Sequence, residues 1–324
     1  MTTAKTSSKH IVTPAEVRPL AQRSDWMGAA LVAHAWGVIF GAVALFAWWP
    51  SVVTGLLAVM VIGSRQLGLA VLMHEAAHKA LFRTGWINEV VGQWLCARPV
   101  LAEMTSYRAY HMVHHIHTQT DKDPDLALSA KFPTTRDSLK RKFTRDLTGQ
   151  TGWKLRLAQF RRALQLGFDE DAISGAKMAQ TFQSEDLKPG VLCNILVFAI
   201  MWAIGDWWYW FAFWALPLLT WYQFVIRIRN IAEHAVLKAP QEPLGNARTT
   251  YADPVTAFFL APYWVNYHLE HHLVMHVPCW RLPKLHRLLQ EKGYDERMET
   301  APSYWRVLGM VGWQQLSPER ARAG

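Results

Sequence analysis

The sequence predicts an all-α integral membrane protein, with four transmembrane helices as two hairpins beneath a cytoplasmic helical cap that carries most of the histidines. Three observations predict it. Hydrophobic residues make up 51% of the 324 and fall in long runs with the charges between them. The runs pair across connectors that are short and free of Lys and Arg. Most of the 14 histidines lie in the polar segments that follow those runs.

Taken in order, Met1 to Ser24 is polar, with Lys5, Lys9, Arg18 and Arg23. It lacks the charged-then-apolar pattern of a cleaved signal peptide and reads as a cytoplasmic tail. Gly28 to Trp49 is long enough as a helix to cross a hydrocarbon core of about 30 Å. Pro50-Ser51 turns the chain into a second run, Val52 to Met73, interrupted by Ser64-Arg65-Gln66. Val191 to Ile204 is shorter and is extended by Pro189-Gly190 and Gly205. Trp207 to Ile226 has no charge, and Gly205-Asp206 is its connector. The expected spans are therefore 28–49, 52–73, 189–205 and 207–226, in one domain covering 1–324. The histidine segments are 74–188 and 227–324. Arg227 and Arg229 sit at the open end of the second hairpin, and the hairpin tips carry no Lys or Arg. Positive charge on the cytoplasmic side puts both termini and the histidines there. Trp86 to Ala102 and Ala257 to Val265 read as interfacial segments.

Charge and cysteine usage narrow the partners. Net charge is +9, and ten Lys and Arg between Lys131 and Arg162 face only Asp137 and Asp146. Beside membrane spans, an anionic lipid surface is the expected partner rather than nucleic acid; an acidic electron-donor protein is the second candidate. Cys96, Cys193 and Cys279 are scattered and form no C-x-x-C pair, which excludes a disulfide framework and a thiolate metal site. Any metal has N and O ligands.

The histidines fall in four sites: His74-Glu75-x-x-His78, His111-x-x-His114-His115, Asn230-x-x-x-His234 and His268-x-x-His271-His272. On a helix, residues three and four apart share a face, so each site aims its nitrogens one way. Neutral imidazole suits Fe, Zn, Cu and Ni. Nine clustered histidines exceed what one ion uses; two ions account for them. Glu75, Glu233 and Glu270 are candidate acceptors for ligand N–H groups. His117 and His276 break the spacing, and His10, His34 and His286 stand alone. The first site also fits the H-E-x-x-H signature of a zinc metalloprotease with Glu75 as base. That reading leaves seven clustered histidines without a task.

The boxes, their order and their placement after two apolar pairs resemble the membrane fatty acid desaturase family, which is related to membrane hydroxylases and carotenoid ketolases. The stretch His115-Ile116-His117-Thr118 to Asp123-Pro124-Asp125 and the pair Asn230/His234 extend the resemblance. It implies a di-iron centre at the cytoplasmic face of a four-span bundle. His74, His78, His111, His114, His115, His234, His268, His271 and His272 would be its ligands, with Asn230 acting through a bound water. It further implies O₂ as co-substrate, a lipid or other long-chain hydrophobic substrate, and electrons from a ferredoxin or b-type cytochrome. The sequence contains no nucleotide-binding Gly-rich loop and no second metal-binding segment, so the donor is expected to be a separate protein.

Desaturation of a fatty acyl or related lipid chain is the first expectation. Hydroxylation or ketolation of a lipid, carotenoid or hydrocarbon at the same site is the second. Two polar residues inside apolar runs have two readings each. Arg65 either snorkels to the cytoplasmic interface, the reading preferred on sequence, or pairs with a substrate head group. Asn194 is ambiguous in the same way.

Overall fold

The computed structural model describes residues 10–164 and 187–312. The first nine residues of the polar tail, residues 165–186 and residues 313–324 lie outside the described residues. Among the described residues, three helices are long and apolar enough to cross a membrane: Asp25–Trp48, Val52–Ala77 and Phe211–His234. Lys188–Ile204 is apolar but shorter, at 17 residues.

Local chemistry sets the ends of the first two. Ser24 caps Asp25–Trp48, its hydroxyl accepting from the Met27 N–H. Ser51 and Thr54 form a reciprocal cap that starts Val52–Ala77. This second helix is central. Its upper end is exposed, but from Val61 to Ala77 all but one residue is buried. Asp25–Trp48 (the first helix), Phe211–His234 (the fourth, since Lys188–Ile204 precedes it) and the Gly85–Val100 segment all pack on it. Two polar side chains inside the bundle find partners in a tryptophan and a carbonyl. Ser64 accepts from Trp221 Nε1 at 2.9 Å, and Gln66 donates to the Trp214 carbonyl at 2.9 Å.

Lys188–Ile204 packs on the first helix and on the Arg98–Val100 turn. Asn194 proves to be a structural polar residue: it donates to the carbonyls of Gly190 and Pro99 and accepts from Trp214 Nε1 at 2.9 Å. The fourth helix is interrupted. Phe211–Ala215 is a π-turn just before Pro217, which has no N–H to give, and Thr220 leaves helical geometry before Trp221–His234 begins. Gln223 donates at 3.0 Å to the Leu218 carbonyl near this break. The helix then runs eight residues past Ile226, so Asn230 and His234 sit on a direct extension of the last apolar run.

The cap is built on these ends. Gly85–Ala97 lies against the foot of the second helix, and Gly92 permits the approach: a Cβ there would stand 2.4 Å from Ala76 Cβ. Arg108 closes the corner, donating to Glu89 at 2.8 and 2.9 Å and to the Ala77 carbonyl. Arg136–Leu147, from the basic stretch, is tied to the fourth helix by a two-pronged Arg227–Asp146 ion pair.

Candidate metal centre

Each box arrives on a defined element. His74 is in the last turn of Val52–Ala77 and His78 is its C-cap. His111, His114 and His115 lie on Met104–His117, a helix started by Glu103, whose carboxylate accepts from the Thr105 and Ser106 N–H groups. His234 ends the fourth helix, and His268–Leu273 carries the last three.

These nine histidines assemble into two groups. One holds His74, His78, His111, His115 and His271; the other holds His114, His234, His268 and His272. Within each group the candidate ligand atoms all lie within 4.8 Å of one another. In the first, His115 Nε2 is 2.9 Å from His111 Nε2 and 3.1 Å from His271 Nε2. In the second, His268 Nε2 is 2.9 Å from His234 Nε2 and 3.1 Å from His272 Nε2.

The sequence reading had each box aim in one direction. The structure corrects that: both H-x-x-H-H triplets are shared between the groups. In each, positions i and i+4 go together and i+3 goes to the other group. Helix geometry is the reason. At 3.6 residues per turn, i and i+4 are about 40° apart, whereas i+3 lies about 100° from i+4. Two short helices thereby serve both groups.

The donor set fits metal. A neutral imidazole has one N–H, so three Nε2 atoms at contact distance cannot satisfy one another by hydrogen bonds alone. His74 Nε2 and His78 Nε2 are buried with no hydrogen-bond partner among the described residues. Burial, reinforced by neighbouring imidazoles, holds His111, His268, His271 and His272 well below the ordinary imidazole pKa of about 6.5. His78 is held at about 3, through burial and then the nearby Arg108. All five are neutral near pH 7, the state that ligates metal.

The surrounding carboxylates differ from the expected set. Glu75 lies 3.4 Å from His74 Nδ1 and accepts from the Cys279 N–H at 2.9 Å. This buried role is not that of a protease base. Glu233 accepts from Arg229 at 2.6 Å and approaches His268 at Nε2, 3.5 Å away, the nitrogen that faces its group. Glu270 reaches no clustered histidine; it bonds His286 Nδ1 at 2.6 Å and Thr249 Oγ1 at 2.5 Å. The clearest outer acceptor is Asp123, 2.7 Å from His114 Nδ1, and sequence reasoning passed over it. Its signal was present in the Asp123-Pro124-Asp125 stretch after the second box. Asn230 lines a cavity beside the second group with Tyr107, Asp125, Arg229 and Glu233. His117 and His276 belong to neither group.

With this geometry in hand, sequence comparison is decisive. The sequence profile of the fatty acid desaturases matches residues 47–304. The chain belongs to the fatty acid desaturase family. A dihydrorhizobitoxine desaturase of Bradyrhizobium elkanii is 26% identical over 86% of this chain and 79% of its own. An sn-1 oleoyl-lipid 12-desaturase of Picosynechococcus is 24% identical over 77% of this chain and 72% of its own. A beta-carotene ketolase of Paracoccus is 23% identical over 67% of this chain and 73% of its own. Family membership also removes the zinc-protease reading of His74-Glu75-x-x-His78.

Proposed function

We propose that this chain is an O₂-dependent membrane di-iron oxidoreductase that introduces a double bond into a fatty acyl or related lipid chain. The observation that carries the reading is the division of nine histidines into two adjoining groups by shared boxes, in a chain of the fatty acid desaturase family. His74, His78, His111, His115 and His271 hold one iron. His114, His234, His268 and His272 hold the other, with Asn230 acting through a water.

Iron bound there supplies the oxidising power that side-chain acid or base chemistry lacks for an unactivated C–H bond. The balance is fixed: the chain loses two hydrogens, and O₂ takes these with two external electrons and two protons to give two waters. The protein's own work is placement. Buried, neutral imidazoles keep the ligand nitrogens free of protons. Asp123 holds the His114 ring in one tautomer. The apolar spans and tight burial around the groups keep bulk water from the reacting carbon.

In this reading Lys188–Ile204 completes a four-span bundle of two hairpins, and the basic flanks put both termini and the metal centre in the cytoplasm. A separate ferredoxin or b-type cytochrome supplies electrons, and the Lys131–Arg162 stretch faces anionic lipid.

A second reading has the same site hydroxylate or ketolate a lipid, carotenoid or hydrocarbon; the similarity to a beta-carotene ketolase favours keeping it. Product analysis decides. Lipids from a strain expressing the chain are compared with a control by mass spectrometry. A product lacking two hydrogens supports desaturation, an added oxygen supports the second reading, and no O₂-dependent change sinks both.

A further inference from the structure

The third box must be held in register with the first, and the segment that delivers it has unusual geometry. Between Pro254 and Trp264 the chain packs along the second helix. Tyr263 and Trp264 both have left-handed backbones, with φ of 57° and 59°. Residues with a Cβ rarely adopt that conformation, and it persists only where the surroundings over-determine it.

Three contacts do so at Tyr263. Its ring lies on Gly68, where a Cβ would stand 2.8 Å from Tyr263 Cε2. The Arg65 guanidinium, one helical turn earlier, is 5.6 Å from the ring centroid. The hydroxyl is 3.1 Å from His34 Nδ1 on the first helix. Arg65 also reaches the short helix Pro254–Phe259. It donates to the Phe258 carbonyl and lies 4.6 Å over the Phe258 ring. A cation there meets the negative end of that helix, while Asp253 caps the other end.

The preferred sequence reading of Arg65 as a snorkelling side chain is therefore overturned. Arg65 is 2% exposed. Its charged group turns to the Pro254–Trp264 segment, and no carboxylate among the described residues pairs with it. An arginine inside an apolar span is costly, so packing alone does not account for its charge.

We propose that Arg65, with Tyr263 and His34, is a positioning device. It fixes Pro254–Trp264 against the second helix and so sets His268, His271 and His272 in register with His74 and His78. The proposal rests on the di-iron reading. One helix carries both the pin and the first box, with Arg65 about 13.5 Å along it from His74. The pinned segment runs into the third box five residues after Tyr263. That box feeds both groups, so displacing it disturbs both.

The test is metal binding by the purified full-length chain, stripped and then titrated with iron(II), alongside Arg65→Met, Arg65→Lys and Tyr263→Phe. Helical content is checked by circular dichroism. Arg65→Met should weaken binding at both groups by about tenfold or more, and Arg65→Lys, which keeps a charged donor, by less. Mössbauer spectra should show both iron environments altered. Wild-type affinity and spectra in Arg65→Met overturn the proposal. So does a variant in which only the substrate KM rises, because the cation then acts on substrate. If Arg65→Met does not accumulate, wild-type iron binding in both Arg65→Lys and Tyr263→Phe overturns it. A wild-type chain that takes up no iron pair counts against the di-iron reading instead. The pin then still predicts that the variants loosen cobalt(II) or zinc held by the same histidines, and unchanged affinity refutes it.

Discussion

Replacing Asp123 with Asn should loosen one group of histidines and leave the other alone. Asp123 Oδ1 is 2.7 Å from His114 Nδ1, and both side chains are buried. The carboxylate accepts the Nδ1–H, which frees Nε2 for metal and raises its basicity. Asn keeps the shape and an acceptor oxygen but removes the charge. Outer partners of this kind are worth roughly 10–100-fold in metal affinity, or about 1–3 kcal/mol at about 1.4 kcal/mol per decade. The effect is confined because His114 belongs only to the group with His234, His268 and His272. Asp123 Oδ2 also accepts the Gln119 N–H at 2.8 Å, so the thermal midpoint is measured separately. The assay is iron retained per chain against rising chelator concentration. Half the iron should leave at roughly 10–100-fold lower chelator, with the other half unmoved. Release of both irons in step, or wild-type release of both, would refute the assignment of Asp123.

Three further outcomes are expected. His234→Ala removes one of four ligands from the second group and none from the first; metal analysis should find about half the wild-type iron, and full iron content with full activity would remove His234 from the site. In metal-free protein, His78, His111, His268, His271 and His272 have folded pKa values below the unfolded value of about 6.5. Their stabilising contribution is complete above that pH and is lost as pH falls from about 6.5, down to about 3 for His78. Each histidine kept neutral costs about 1.4 kcal/mol per pH unit in that window. Thermal midpoints of chelator-treated protein should fall across it, and a flat profile contradicts the burial argument. Gly92→Val puts a side chain where a Cβ already meets Ala76 Cβ at 2.4 Å and Met104 Sδ at 2.7 Å. It should lower stability by about 1–3 kcal/mol, read as a lower thermal midpoint.

The histidine boxes were readable because ligand spacing is a local property of a helix. Their division between two groups was not drawn from the sequence, although the angular step of the helix contains it. Asn230 and His234 were read as a fourth site from their i, i+4 spacing, and the resemblance added only their ligand roles. That they extend the last apolar helix was not legible, since hydropathy falls off at Arg227 while the helix runs on to His234. The acidic partners were harder. Asp123 and His114 meet across a turn, and His286 and Glu270 across 16 residues, so no spacing rule pairs them. Arg65 was misread because snorkelling assumes open lipid or water above the residue. Here the Pro254–Trp264 segment fills that space, and its packing on the second helix is a tertiary fact.

The central claim is that nine histidines hold two irons that oxidise a lipid with O₂. Its most direct test is metal and O₂ stoichiometry on the purified protein, supplied with lipid and a reduced ferredoxin or b-type cytochrome. The account predicts two irons per chain and one O₂ consumed for each double bond formed. Stoichiometric zinc, with turnover that continues without O₂, would contradict it.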